Sequence, residues 1–379
     1  MAPPQAWWRR AAGVAKDAQS ICLTRIVTGR RRHRGGPEVE ASIIRATSHD
    51  DRSMDYKSAG RVFAWARAAP SSFLGPLMWS LSRRASRTRS WVVALKSLLL
   101  AHGLLLCSDD APPVARLGRL PFDLSDFSDR SSSSGFSAFV RAYFRFLDQR
   151  SVFSTRNPNK RDSGQEEEET NSAADADLEE LERLQTLLDL LMQIRPYADG
   201  MEVSLILEAM DCVVIEIFDV YSNICDGISR FLIGIRGSSV RALESRKRRG
   251  EIGMRMLRRA AEQSLQLSSY FDLCRTLRLL NTADLPPVQS IPDEDMSALE
   301  RLLLGVFPEE EKEGGEAEEA AEAEEGRSGT VITQRWVVFD DGEGWANSGK
   351  VSSPPPISWA SAVNAGAAAA LMGDLIELI

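Results

Sequence analysis

Histidines, paired cysteines and long uncharged apolar runs are scarce in this chain, and each shortage excludes something. Only His33, His49 and His102 are present, and the sequence holds no G-x-G-x-x-G, P-loop, G-x-S-x-G or H-E-x-x-H. The commonest nucleotide, hydrolase and metal chemistries therefore lack their local signatures, and no enzyme, cofactor or metal site is expected. The five cysteines (Cys22, Cys107, Cys212, Cys225, Cys274) are odd in number and contain no C-x-x-C pair, which suits buried thiols better than a disulfide framework. The first ten residues, MAPPQAWWRR, contain no continuous apolar stretch of the kind a secretory signal needs. Trp91 to Cys107 comes nearest to a membrane span, but it is short and carries Lys96 and His102, so it reads as a buried core helix.

Acidic residues are missing from one long stretch. None occurs between Tyr56 and Ser108, where Lys57, Arg61, Arg67, Arg83, Arg84, Arg87, Arg89 and Lys96 supply eight positive charges. With Arg30, Arg31, Arg32 and Arg34 upstream, this predicts a strong field for phosphates rather than a plain solvated face. Residues 1–161 hold 27 Lys or Arg against 12 Asp or Glu, whereas the remainder holds 19 against 42. The net charge of −8 therefore conceals a basic half and an acidic half.

What is abundant is helical periodicity. Between residues 40 and 305 apolar positions recur at i, i+3, i+4 and i+7, and strict alternation is nearly absent, so the folded part is expected to be all-α, a helical solenoid or extended bundle. Phe136, Phe139, Val140, Tyr143, Phe144 and Leu147 form the clearest stripe, behind a run of serines able to cap the helix. Leu178, Leu181, Leu184, Leu188 and Leu191 repeat it; further helices are expected over about 201–235 and 251–280, and a shorter one after Asp293. The polar stretch 151–176 reads as a surface loop.

Residues 1–36 form a basic amphipathic segment. Trp7, Ala11, Val14, Ala18 and Ile21 share one helical face with Arg9, Arg10 and Lys16 off it, a face that suits either a lipid interface or packing on the domain. The domain itself is placed at 37–305. Past it, residues 309–325 hold ten Glu and one Lys, and the rest is rich in Gly, Ser and Pro. The composition of 306–379 predicts a disordered tail.

Several blocks, taken in order, resemble a known family: Arg45-Ala46-Thr47-Ser48-His49-Asp50, then Ser90-Trp91-Val92-Val93-Ala94-Leu95-Lys96-Ser97-Leu98, His102-Gly103-Leu104, and Phe139-Val140-Arg141-Ala142-Tyr143 with Phe146-Leu147. They are similar to the ANTH (AP180 N-terminal homology) domain of clathrin-assembly proteins, in its plant branch. The resemblance implies a non-enzymatic endocytic adaptor. Its basic helix tips would hold a phosphoinositide headgroup, such as that of phosphatidylinositol 4,5-bisphosphate, and its tail would gather clathrin and adaptor complexes. It also implies coated pits and vesicles of the plasma membrane or Golgi, and a SNARE helix as a further partner.

The family's lipid motif, Lys-Ala-Thr, six residues, Pro-Lys-x-Lys and His or Tyr, falls on Arg45-Ala46-Thr47 and on Met54-Asp55-Tyr56-Lys57-Ser58. Arg45 and Lys57 keep two of four headgroup positions, Asp55 and Ser58 depart, and His49, Arg52 and Arg61 are candidates to compensate. In the tail, Trp336, Phe339, Asp340 and Asp341 resemble an adaptor-appendage motif, W-x-x-F with acids behind. Leu375, Ile376 and Leu378 resemble a clathrin box with Ile379 in the acidic place. The competing expectation is an all-helical nucleic-acid-binding protein with an acidic regulatory tail. It leaves the tail islands and the Ser90–Leu98 block unexplained, so nucleic acid is not the expected partner.

Overall fold

The computed structural model describes residues 12–22, 36–155, 166–197, 202–237 and 243–279. Among them there are helices and no strands: α1 (residues 12–22), α2 (Pro37–Ala46), α3 (Tyr56–Ala68), α4 (Pro70–Ala85), α5 (Trp91–Asp109), α6 (Ser134–Thr155), α7 (Glu166–Met192), α8 (Ser204–Gly237) and α9 (Leu243–Thr276), with a 3₁₀ turn at Pro113–Ala115. The expected all-α class is what the chain adopts. The short helix expected after Asp293, the arginines at 30–34, Trp7 and the whole of 306–379 lie outside the described residues.

Successive helices pack on one another from α2 to α9, with α7 touching both α8 and α9. Helix α5 sits at the middle, against α3, α4, α6 and α8. Its buried residues run from Trp91 to Ser108 almost without a break, which is why its sequence reads as apolar on every side. It is long and apolar enough to cross a membrane, yet nearly all of it is buried in protein, as a core helix should be. Glycine is needed where α5 meets α3, because a Cβ on Gly103 would lie 2.4 Å from the Phe63 ring. No residue of α5 caps its N-terminus; Asp129 does so from a distant loop, accepting from the Trp91 N–H at 3.0 Å. The serines before α6 act as expected in part: Ser133 Oγ accepts from the Gly135 N–H at 3.4 Å.

The stretch 151–176 is not a loop throughout. Helix α6 continues to Thr155 and α7 begins at Glu166, so ten or more residues expected to be irregular are helical. Glutamate propagates a helix well, and acidic residues suit its positive end, so a polar, apolar-poor stretch can be helical without showing a stripe.

A polar network ties three helices together inside the core. His102 of α5 shares hydrogen bonds with Tyr143 of α6 through Nδ1 (2.9 Å) and with Glu216 of α8 through Nε2 (3.1 Å). Arg150 of α6 donates its Nε–H to the other Glu216 oxygen and a second N–H to Asp109 of α5 at 3.0 Å. Burial alone would raise the Glu216 pKa, but the Arg150 charge and the His102 contact outweigh it and hold the carboxyl down at about 2. Removing one member of such a network leaves uncompensated buried charge.

Glu216→Ala is therefore expected to cost roughly 3–5 kcal/mol in urea unfolding. Because the folded pKa is depressed, the contribution of Glu216 is complete above the ordinary glutamate value of 4.5 and fades as pH falls from there toward 2. The stability gap between wild type and Glu216→Gln should accordingly narrow through that acid window. A gap independent of pH would mean that the charge of Glu216 is not what stabilises.

Candidate functional site

The loop of residues 47–55 joins α2 to α3, and the ends of several other helices close around it. In the block Arg45-Ala46-Thr47 the roles are divided. Ala46 and Thr47 are fully buried, and Thr47 ends α2 by donating its hydroxyl to the Ile43 carbonyl at 2.7 Å. Arg45, in the last turn of α2, stays exposed. Across the loop, Met54 is buried and its N–H reaches Glu208 of α8 at 3.3 Å.

Asp55 and Ser58, the two departures from the lipid motif, turn out to be a helix cap. The Asp55 carboxylate accepts from the Ser58 N–H at 3.1 Å and from the Ser58 hydroxyl at 2.8 Å, at the N-terminus of α3. Asp55 is thus engaged with its own helix end, and Ser58 is buried. The acid at this motif position is a structural group whose charge is largely answered by the helix terminus.

Four of the five expected headgroup residues are exposed around this end of the molecule: Arg45, Arg52 in the loop, and Lys57 and Arg61 one turn apart on α3. Among the described residues, none of the four has a carboxylate within ion-pair distance. The fifth, His49, is half-buried and held by α1. Its N–H donates to Asp17 Oδ2 at 2.8 Å and its ring Nδ1 to Asp17 Oδ1 at 2.9 Å. Arg84, from the last turn of α4, donates to the same Oδ1 at 2.8 Å and to the Thr47 carbonyl at 2.6 Å. Burial would raise the Asp17 pKa, but the hydrogen bonds from His49 and Arg84 prevail and lower it, so Asp17 is a carboxylate at neutral pH.

Beneath the loop lies Lys96, fully buried on α5, with its Nζ 3.3 Å from the Ser48 hydroxyl. Burial brings its pKa down to about 8, against the pull of Asp50, Glu208, Asp17 and Asp51. Arg83 lies over the Trp79 ring and 3.7 Å from Glu40. The acid-free stretch 56–108 therefore does not form an unbroken basic face. Tertiary contacts bring Asp17 against Arg84 and Glu40 near Arg83, and Lys96 lies in the field of Asp50, Glu208, Asp17 and Asp51, while Lys57, Arg61, Arg87 and Arg89 stay exposed.

The stripe expected on α1 is not the face that docks. Gly13 and Asp17 are buried, and a Cβ on Gly13 would lie 2.6 Å from the His49 Cβ, whereas Val14 is 65% exposed and Ala18 is exposed. Asp17 and Glu208 were not anticipated here, and Arg84 and Lys96 were expected as part of the cationic field of 56–108, not as groups that hold the loop. The one available signal was a lysine inside an otherwise apolar helix.

The ANTH domain family model matches residues 38–304. This chain belongs to the ANTH-domain family. Two relatives from Arabidopsis thaliana, both bearing the name "Putative clathrin assembly protein", are similar across nearly the whole chain. One is 42% identical over 88% of this chain and 87% of its own length. The other is 37% identical over 88% of each. A third protein of that name, from the same plant, is 34% identical over 78% of this chain and 81% of its own.

Asp55→Lys would remove the α3 cap and put a cation at the positive end of a helix. It is expected to lower stability by about 1–2 kcal/mol, read as a drop in the urea midpoint with unchanged slope. An unchanged midpoint would show that the cap is dispensable.

Proposed function

We propose that this chain is a peripheral-membrane adaptor of clathrin coats, in which the helix tips around residues 47–55 bind an anionic phosphoinositide membrane. The observation that carries the membrane half is the set of exposed cations around the 47–55 loop, Arg45, Arg52, Lys57 and Arg61, none of which has a carboxylate partner among the described residues. Lys96 beneath the loop adds a buried positive charge. The outward Val14 and Ala18 of α1 continue a stripe that in sequence register includes Trp7, which suits a helix lying in the lipid interface. Each exposed cation is worth about 1 kcal/mol toward an anionic leaflet, so recruitment needs several together.

The coat half rests on the family and on the names of the relatives. It assigns the tail two docking islands, Trp336, Phe339, Asp340 and Asp341 for an adaptor appendage, and Leu375, Ile376 and Leu378 for clathrin. Aromatic anchors carry most of the energy in such short peptides. Individually weak peptides become durable on a polyvalent lattice. A SNARE helix as cargo rests on the resemblance alone, and no groove is assigned to it.

Arg45→Glu with Lys57→Glu should abolish co-sedimentation with phosphoinositide vesicles at about 0.15 M salt, where long-range attraction is screened. Binding that survives, or that is matched by a shift of nucleic acid under the same conditions, would overturn the membrane assignment. For the tail, Trp336→Ala with Phe339→Ala should lose at least about 2 kcal/mol of appendage binding while vesicle binding stays intact. Leu375→Ala with Leu378→Ala should likewise weaken clathrin pull-down by the full chain. Equal recovery by wild type and both double variants would end the coat-recruitment reading.

A further inference from the structure

Lys96 and Glu208 stand on different helices, yet between them they hold both ends of the 47–55 loop. At the first end the Lys96 ammonium of α5 donates to the Ser48 hydroxyl at 3.3 Å. At the other, Glu208 of α8 accepts from the Met54 N–H at 3.3 Å and from the Tyr56 hydroxyl. Each charge also favours the other: the glutamate opposes loss of the proton that burial would take from Lys96, and the lysine favours the carboxylate form of Glu208. Lys96 and Met54 are buried, whereas Asp50, Arg52 and Ser53, between the two holds, are exposed. Arg45 lies in the last turn of α2, just before the first hold, and Lys57 follows Tyr56 directly at the second. The two cations that match the lipid motif are thus mounted on the two braced ends.

We propose that Lys96 and Glu208 are positioning residues for the membrane site: by bracing the two ends of the 47–55 loop they set the spacing of Arg45 and Lys57, and with it the preference for a headgroup of clustered phosphates over a diffuse anionic leaflet. The proposal rests on reading the loop as a phosphoinositide site and adds what makes that site selective. A headgroup with several phosphates on one ring presents its charges within a few ångströms of one another, so it gains most from cations already held at a matching separation. A phosphatidylserine leaflet spreads its charge at one per lipid and is satisfied by cations at any spacing. Loosening the loop leaves Arg45, Arg52, Lys57 and Arg61 in the chain, so general attraction to anionic lipid persists while discrimination is lost. The charged and titratable groups around Lys96 are Asp17 of α1, Asp50 and Asp51 of the loop and Glu208 of α8. Tyr56 of α3 lies against Glu208, and Arg84 of α4 and His49 lie against Asp17. Carboxylates ordinarily titrate well below pH 8, and burial beside Glu208 pushes the Tyr56 hydroxyl far above it. Lys96, brought down to about 8 by burial, is the member of the brace that changes charge there.

The test is co-sedimentation of the full chain with two sets of phosphatidylcholine vesicles of equal surface charge, one carrying phosphatidylinositol bisphosphate and the other phosphatidylserine. The readout is the ratio of the two affinities. Lys96→Met, similar in length and uncharged, and Glu208→Leu should each lower that ratio roughly tenfold, because the ordering that the brace supplies in advance must then be supplied on binding. Glu208→Gln keeps an acceptor for the Met54 N–H and should lower it less. Arg145→Met removes an exposed cation from α6 instead and should leave the ratio unchanged. In wild type the ratio should also fall as pH rises through about 8, where Lys96 loses its proton, and this fall should be absent from Lys96→Met. The positioning role is overturned if Lys96→Met and Glu208→Leu keep the wild-type ratio, if Arg145→Met lowers it as much, or if Lys96→Met shares the wild-type pH profile. The wild-type profile needs no substitution, so a variant that fails to fold does not rescue the role: a ratio constant across that pH overturns it. A wild type with no preference for the bisphosphate vesicles at any pH would overturn the phosphoinositide reading itself, and the positioning role with it.

Discussion

Helix α5 is buried on every face and yet carries a lysine and a histidine, and the rest of the domain is arranged around satisfying them. A buried polar group costs free energy unless partners are supplied, and a buried charge costs more. His102, near the middle, is answered by Tyr143, Glu216 and, through Glu216, Arg150, which fastens α5 to α6 and α8. Lys96, near the N-terminal end, is answered by Ser48 and by the field of Asp50, Glu208, Asp17 and Asp51. The first solution holds the stack of helices together. The second draws the 47–55 loop and the first turns of α8 onto the end of α5, and so places the candidate site.

That site is a mixed field rather than a basic patch. Arg45, Arg52, Lys57 and Arg61 face solvent with no ion-pair partner among the described residues, and the cations turned inward, Arg84 and Lys96, hold the loop in place. Asp55 belongs to the second group of functions: it fixes the start of α3, and so the direction in which Lys57 and Arg61 leave the surface. A carboxylate at a motif position is therefore compatible with anion binding when its charge is committed to a helix end. The surface offers several exposed charges, each of small individual value toward an anionic partner.

Much of the architecture was legible in the sequence because it depends on patterns with a period. The stripe from Phe136 to Leu147 and the leucines from Leu178 to Leu191 mark their helices, and the unbroken apolar character of Trp91 to Cys107 marks a helix buried all round. Where the pattern was silent, expectation failed. The start of α7 at Glu166 has no stripe to announce it, since glutamate makes a helix without needing a core to bury. The face by which α1 docks was not legible for the opposite reason: the visible stripe suited either lipid or the domain, and Gly13 and Asp17, the residues buried against the domain, are not apolar.

The all-α class, the family and most of the helices follow from local spacing and residue type, and so were legible without a structure. Tertiary structure alone decided which charges are available. Asp17, Arg84 and His49 are far apart in the chain, and nothing in their spacing pairs them; they meet because the middle of α1 and the last turn of α4 pack against the 47–55 loop. Lys96 belongs to the acid-free stretch by sequence and to a nest of carboxylates by structure. Charge pairing depends on distance through space at a scale of a few ångströms, and a linear pattern carries that information only within a turn or two of helix.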